Sequence, residues 1–192
     1  MKYVKMLGLA AVAAMALMAF AGSASATVLT SPSGTQYKGE INASAESSLL
    51  LKAGFANITC TESSVAGTPT NFGSSTTTVS GPISTLTFSS CNATVTVLKK
   101  GSLEIHTIGK GPNGTLTSTG AEVTVATGGV SCTYATNNTD IGTLTGTTTA
   151  GTKATMDISA SLTKSAGGFL CASPAAWEGS YWVTKPVPLS VS

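Results

Sequence analysis

Thr155-Met156-Asp157-Ile158-Ser159-Ala160-Ser161-Leu162-Thr163 alternates apolar and polar residues without a break. Successive side chains of an extended chain point to opposite faces, so Met156, Ile158, Ala160 and Leu162 share one side and every polar residue lies on the other. A helix would scatter those four residues around its axis. The stretch therefore reads as a β-strand with one side in a core and one in water.

The same period extends outward from this run. Val130, Cys132 and Tyr134 oppose Ser131 and Thr133, Ile58 and Cys60 oppose Asn57 and Thr59, and Leu86 and Phe88 alternate with Thr85 and Thr87. Further strands are expected over 36–42, 47–52, 76–80, 93–98, 102–108, 115–118, 121–126, 141–147, 177–184 and 187–191, rich in Thr and Val whose branched Cβ suits a pleated surface. Residues 43–51 read as strand or loop rather than helix. Gly111-Pro112-Asn113-Gly114 is the strongest hairpin signal, since Asn-Gly supplies the positive-φ pair of a tight turn. Lys99-Lys100-Gly101, Gly128-Gly129, Asn137-Asn138 and Gly167-Gly168 mark other turns. Pro186 and Pro188 assign the last segment to a sheet edge. Short strands punctuated this way predict an all-β fold, an antiparallel β-sandwich or Greek-key barrel.

The N-terminus has a different character. Lys2 and Lys5 precede an apolar Ala/Leu/Met run to Phe20, and Ala24-Ser25-Ala26 offers small residues for cleavage. Residues 1–26 are expected to be a signal peptide and 27–192 a single all-β domain. The apolar run is short for a bilayer span, so no membrane span is expected after cleavage.

The four cysteines, Cys60, Cys91, Cys132 and Cys171, all lie beyond residue 26. An even count in an exported chain points to two disulfides, whereas widely spaced cysteines without a Cys-x-x-Cys pair fit a zinc site poorly. Ile58-Thr59-Cys60-Thr61 echoes Val130-Ser131-Cys132-Thr133, and Ile83-Ser84-Thr85-Leu86-Thr87 before Cys91 echoes Ile158–Thr163 before Cys171. That echo favours Cys60 with Cys91 and Cys132 with Cys171, among three connectivities that four cysteines allow.

The chain has ten Lys and no Arg; with Lys2 and Lys5 in the leader, eight Lys face eight Asp/Glu. Without a basic surface it is a poor ligand for nucleic acid, where phosphate neutralisation drives affinity. The single histidine, His106, shares a strand face with Glu104. With no Gly-x-Ser-x-Gly elbow nearby, the pair reads as a solvent-facing polar contact rather than a catalytic dyad. One histidine and scattered acids predict neither a metal site nor a cofactor. The most promising binding feature is the aromatic cluster Trp177, Tyr181 and Trp182. Exposed aromatics stack sugars or anchor interfaces, although Tyr181 and Trp182 must face opposite sides of a strand, so one of them belongs to the core.

Ile58–Thr61, Leu86-Thr87-Phe88-Ser89-Ser90-Cys91, Ser131-Cys132-Thr133-Tyr134 and the tail from Trp177 through Val191 resemble a loose group of exported bacterial β-rich proteins with four cysteines. The resemblance implies export and paired cysteines, and transfers no catalytic residue. The expected function is a non-enzymatic extracytoplasmic protein, secreted or held at the cell surface or in the periplasm. It would serve as an envelope or surface structural component, or as an adhesion or binding module for a cell-surface glycan or a protein partner. One alternative is a secreted polysaccharide hydrolase, which needs two carboxylates facing across a cleft. Another is a small outer-membrane β-barrel, which needs an apolar outer band with aromatic girdles.

Overall fold

A computed structural model describes residues 27–31, 33–74 and 77–192; the expected signal peptide lies outside these residues. The described chain is all-β and antiparallel. Its strands are β1 (Leu29–Thr30), β2 (Ile41–Ala45), β3 (Leu49–Gly54), β4 (Asn57–Gly67), β5 (Asn71–Ser74), β6 (Thr77–Cys91), β7 (Thr94–Lys99), β8 (Ser102–Thr107), β9 (Gly114–Thr119), β10 (Glu122–Thr127), β11 (Val130–Ala135), β12 (Thr139–Thr145), β13 (Thr155–Gly167), β14 (Cys171–Lys185) and β15 (Ser190–Val191). No helix among the described residues is long and apolar enough to cross a membrane.

The pairings close into a ring. β14 pairs β13 on one side and β2 and β3 on the other; β2 and β3 both pair β4, which pairs β6. From β6 the circuit runs through β8, β9 and β12 back to β13. A second tier is formed by β11, β10 and β7, which continue from the far half of β13. Within the all-β class expected from the sequence, the arrangement is thus a barrel in which β3–β4, β8–β9, β12–β13 and β13–β14 join chain neighbours, whereas β4–β6, β6–β8 and β9–β12 step over intervening strands. Barrel closure removes exposed sheet edges, which is the usual answer to the edge-strand problem.

The alternation at 155–163 does what its chemistry dictates: Met156, Ile158, Ala160 and Leu162 are buried and Asp157, Ser159, Ser161 and Thr163 are exposed. The core contains the same inward set from the other strands, including Leu49, Ile58, Val79, Ile105, Leu116, Val125, Leu144 and Tyr134. The first and last described strands meet, β1 pairing β15 with Leu29, Leu189 and Val191 buried. The proline-bearing tail has β1 as its one partner strand, and on its other side the Val191 amide donates to the Pro112 carbonyl at 2.9 Å and the Thr147 amide to the Leu189 carbonyl at 2.8 Å. Residues 43–51 are strand and connector. Residues 108–113 join β8 to β9, with the Ile108 amide donating to the Asn113 carbonyl at 3.0 Å. The expected positive-φ pair at Asn113-Gly114 does not form: Gly109, at φ 64°, takes the left-handed position of this longer loop, and Gly114 opens β9.

Two disulfides link Cys60 to Cys91 and Cys132 to Cys171, leaving no free cysteine. They close 31 and 39 residues of sequence, so each is worth about 3–4 kcal/mol on the chain-entropy argument. Both fit an oxidising, extracytoplasmic compartment.

Candidate functional site

The wall of the barrel is unpaired along one seam. From Thr85 to Cys91, β6 pairs only with β4, and β7 pairs only with β10. These are consecutive strands joined by the short turn at Asn92 and Ala93, and the default for such neighbours is a hairpin. Local chemistry explains why they do not zip. Asn92 belongs to β4: its Oδ1 accepts the Thr59 amide at 2.9 Å and its Nδ2 donates to the Asn57 carbonyl at 3.0 Å. The Cys60–Cys91 disulfide pins the end of β6 to the same strand.

Two bulges face each other at the lower end of the seam. Ala66 partners Thr85 and Gly67 partners Ile83, leaving Ser84 as an extra residue in β6. Likewise Glu122 partners Lys99 and Val123 partners Val97, leaving Leu98 extra in β7. A bulge bends its strand and raises the local twist, so opposed bulges drive the two strands apart. The bulge also accounts for the 54% exposure of Leu98, which is thrown off the inward face. Below the bulges the chain closes again: the Ile83 amide donates to the Gly101 carbonyl at 3.0 Å, and the Lys100 ammonium donates to the Ser84 carbonyl at 2.6 Å. Gly101 is required there, because at φ 72° a Cβ would lie 2.4 Å from the Ala121 amide nitrogen.

Behind the seam lies a cavity of about 100 Å³. Leu86 and Phe88 of β6, Val95 of β7, Val123, Leu51 and Trp177 are among the residues that line it. Phe88 and Trp177 meet edge to face with ring centroids 6.2 Å apart, and both are half-buried. Hardly anything polar faces the cavity. The hydroxyls of Ser118 and Thr136 satisfy each other at 3.0 Å, and the Tyr134 hydroxyl donates to the Ala53 carbonyl at 2.9 Å. No charged residue lines it.

The aromatic cluster expected to bind is divided between two faces. Trp177 lines the cavity. Tyr181 is 1% exposed and its hydroxyl shares a 3.0 Å hydrogen bond with that of Ser63, which also donates to the Thr87 carbonyl at 2.7 Å. Burial pushes the Tyr181 phenol up to about 12, with the Ser63 contact working in the opposite direction. Trp182 is half-buried and takes the other face of β14, beside Thr155 and Ser44 in the pairing register. The cysteines form covalent supports at one end of the barrel. Sequence reasoning missed the seam itself, because the shift of inward parity between Ile83 and Leu86 hides in a Ser/Thr-rich run.

The carboxylates stand on the outside of the wall. Glu178 pairs Lys52 at 2.6 Å, Glu122 pairs Lys99 at 2.7 Å, Glu40 approaches Lys185 at 4.0 Å, and Asp140 accepts the Thr117 hydroxyl at 2.8 Å. Lys99 first, and the Ser165 hydroxyl second, hold Glu122 below the usual carboxylate range. Glu104 lies 3.8 Å from His106 with both side chains exposed. Among the described residues no group of three or more His, Cys, Asp or Glu is placed to hold a metal ion. Other large apolar groups in contact with solvent are Ile108 and, at the β13–β14 tip, Phe169 and Leu170. Comparison of the chain with family models, with curated proteins and with solved structures finds no match.

Proposed function

We propose that this is a non-enzymatic, exported binding module of the cell surface or envelope, and that it holds an apolar ligand inside its barrel. The observation that carries the reading is the apolar cavity behind an unpaired seam, faced by Phe88 and Trp177. Eight-stranded barrels are just wide enough to be filled by side chains or to hold one small ligand. Ligand sites are concave and mostly apolar, and this cavity offers no unsatisfied polar group that a sugar could exploit. A glycan platform on the outside is less well supported, since of the three aromatics expected to form it only Trp182 takes the outer face.

The outer surface supports the remaining parts of the reading. Carboxylates spread over the wall and tied to lysines or hydroxyls do not form the facing pair that glycoside hydrolysis needs. Asp157, Ser159, Ser161 and Thr163 face outward where a lipid-facing wall needs apolar side chains, the inverse of an outer-membrane barrel.

Trp177 provides the test. In a Trp182→Phe protein it is the sole tryptophan, so an apolar quencher such as ω-bromoundecanol should quench its emission saturably. Val123→Phe, which adds bulk at the cavity wall, should abolish the effect. Linear, unsaturable quenching that Val123→Phe leaves unchanged would remove the reading. Fractionation of the native host should place the mature chain outside the inner membrane.

A further inference from the structure

At the closed lower end of the seam, outside the cavity lining, stands an ammonium that no carboxylate neutralises. Lys100 lies between the bulged seam and its closed lower end, and its ammonium has a backbone carbonyl, that of Ser84, as its hydrogen-bond partner at 2.6 Å. No carboxylate lies within 4.0 Å of it, whereas neighbouring Lys99 is paired with Glu122 at 2.7 Å. Lys100 is exposed, so its side chain can swing toward a ligand without breaking an ion pair. Ile83, next to its carbonyl partner Ser84, already lines the cavity.

We infer that the ligand is a carboxylate-headed alkyl chain, a fatty-acid-like amphiphile, which enters through the β6–β7 seam. Its tail lies against Phe88 and Trp177 and its carboxylate rests at Lys100. This rests on the reading of the barrel as an apolar-ligand module and adds the head group and the route. Three observations fit that chemistry together. The cavity interior can pair only with hydrocarbon. At about 100 Å³ it takes the end of a chain rather than a whole lipid, so the remainder must lie in an opening in the wall. The seam is such an opening, and it ends at a cation without a counter-charge. A neutral chain would use the cavity and ignore the lysine; a sugar would use neither; and a nucleotide could pair with the lysine but would find no polar partner in the cavity.

The test compares ω-bromoundecanoic acid with ω-bromoundecanol on the Trp182→Phe protein, reading quenching of Trp177. The acid is expected to bind about three- to fivefold more tightly than the alcohol at low salt, the scale of an exposed ion pair. The difference should shrink as salt is raised. Lys100→Gln should bring the acid to the affinity of the alcohol and leave the alcohol unchanged. Lys99→Gln, which removes a lysine already paired, should preserve the preference. Equal affinities in the parent protein, or a preference that survives Lys100→Gln, overturn the head-group assignment while the apolar module stands. Saturable quenching by neither probe overturns both.

Discussion

Tyr181 shows how much one side chain's position decides. It sits with Trp177 and Trp182 in a single aromatic cluster of sequence, and alternation alone told that Tyr181 and Trp182 could not share a face. Which one turned inward was set by a partner far away in the chain: Ser63 on β4, whose hydroxyl meets the phenol inside the barrel. A phenol buried with one hydrogen bond keeps its proton long after an exposed one has lost it. From the ordinary value of 10.0 up to about 12 the unfolded chain releases the proton and the folded chain retains it. The folded state then binds more protons than the unfolded, so stability is full below pH 10 and falls as pH rises through that window. The loss amounts to about 2–3 kcal/mol by its upper end. The stability curves of the parent and of Tyr181→Phe from urea unfolding should therefore cross between pH 9 and pH 12, the variant becoming the more stable by about 1–2 kcal/mol near the upper end. At neutral pH the variant should be about 1 kcal/mol less stable, because one hydrogen bond is gone while Ser63 keeps the Thr87 carbonyl. Parallel stability curves across the window would show that the phenol titrates freely.

At the scale of elements, most of the barrel was written in local chemistry. Strict alternation located β13, the Gly111–Gly114 turn residues located the β8–β9 connection but not its geometry, and the duplicated Cys-Thr motifs indicated both disulfide pairs. The seam was not legible, and the reason is specific. Ser84 and Leu98 are ordinary strand residues, and each becomes a bulge only because Gly67 with Ile83, and Val123 with Val97, settle into register one residue early. Register is a property of pairs of strands, so a single strand's sequence shows only half of it. The seam makes a prediction of its own. Backbone amides of β6 beyond Ser84 and of β7 that point into the gap have no partner strand, whereas Thr155–Ile158 of β13 are paired on both sides, by β12 and β14. Native-state hydrogen exchange should accordingly find fast-exchanging amides at alternate positions in 85–90 and 94–98, set against slow exchange throughout 155–158. Uniform protection across β6 and β7 would mean that the hairpin is zipped in solution. Protection that appears only on adding ω-bromoundecanoic acid would instead locate the ligand in the gap.

At the scale of the whole molecule, the fold separates its chemistries by direction: hydrocarbon inward, hydroxyls outward, sulfur at one end. Charge contributes little to holding it together. Beyond residue 26, eight lysines face eight acids, and the ion pairs that form, Lys52 with Glu178, Lys99 with Glu122 and Lys185 with Glu40, all lie at the surface with at least one partner well exposed. Exposed pairs of this kind contribute at most about 1 kcal/mol each and are weakened by salt. A surface of Thr and Ser, by contrast, presents dipoles that ionic screening hardly touches. The unfolding free energy should then change by less than about 1 kcal/mol between about 0.02 M and about 0.5 M sodium chloride. Such indifference suits a protein exposed to a medium whose ionic strength the cell does not control. It also sharpens the ligand experiment, because salt that leaves the barrel unmoved can be varied to probe Lys100 alone. A loss of more than about 2 kcal/mol over the same range would place the stability of the barrel in its surface charges, and the salt dependence of acid binding would have to be reread as a change in the fold.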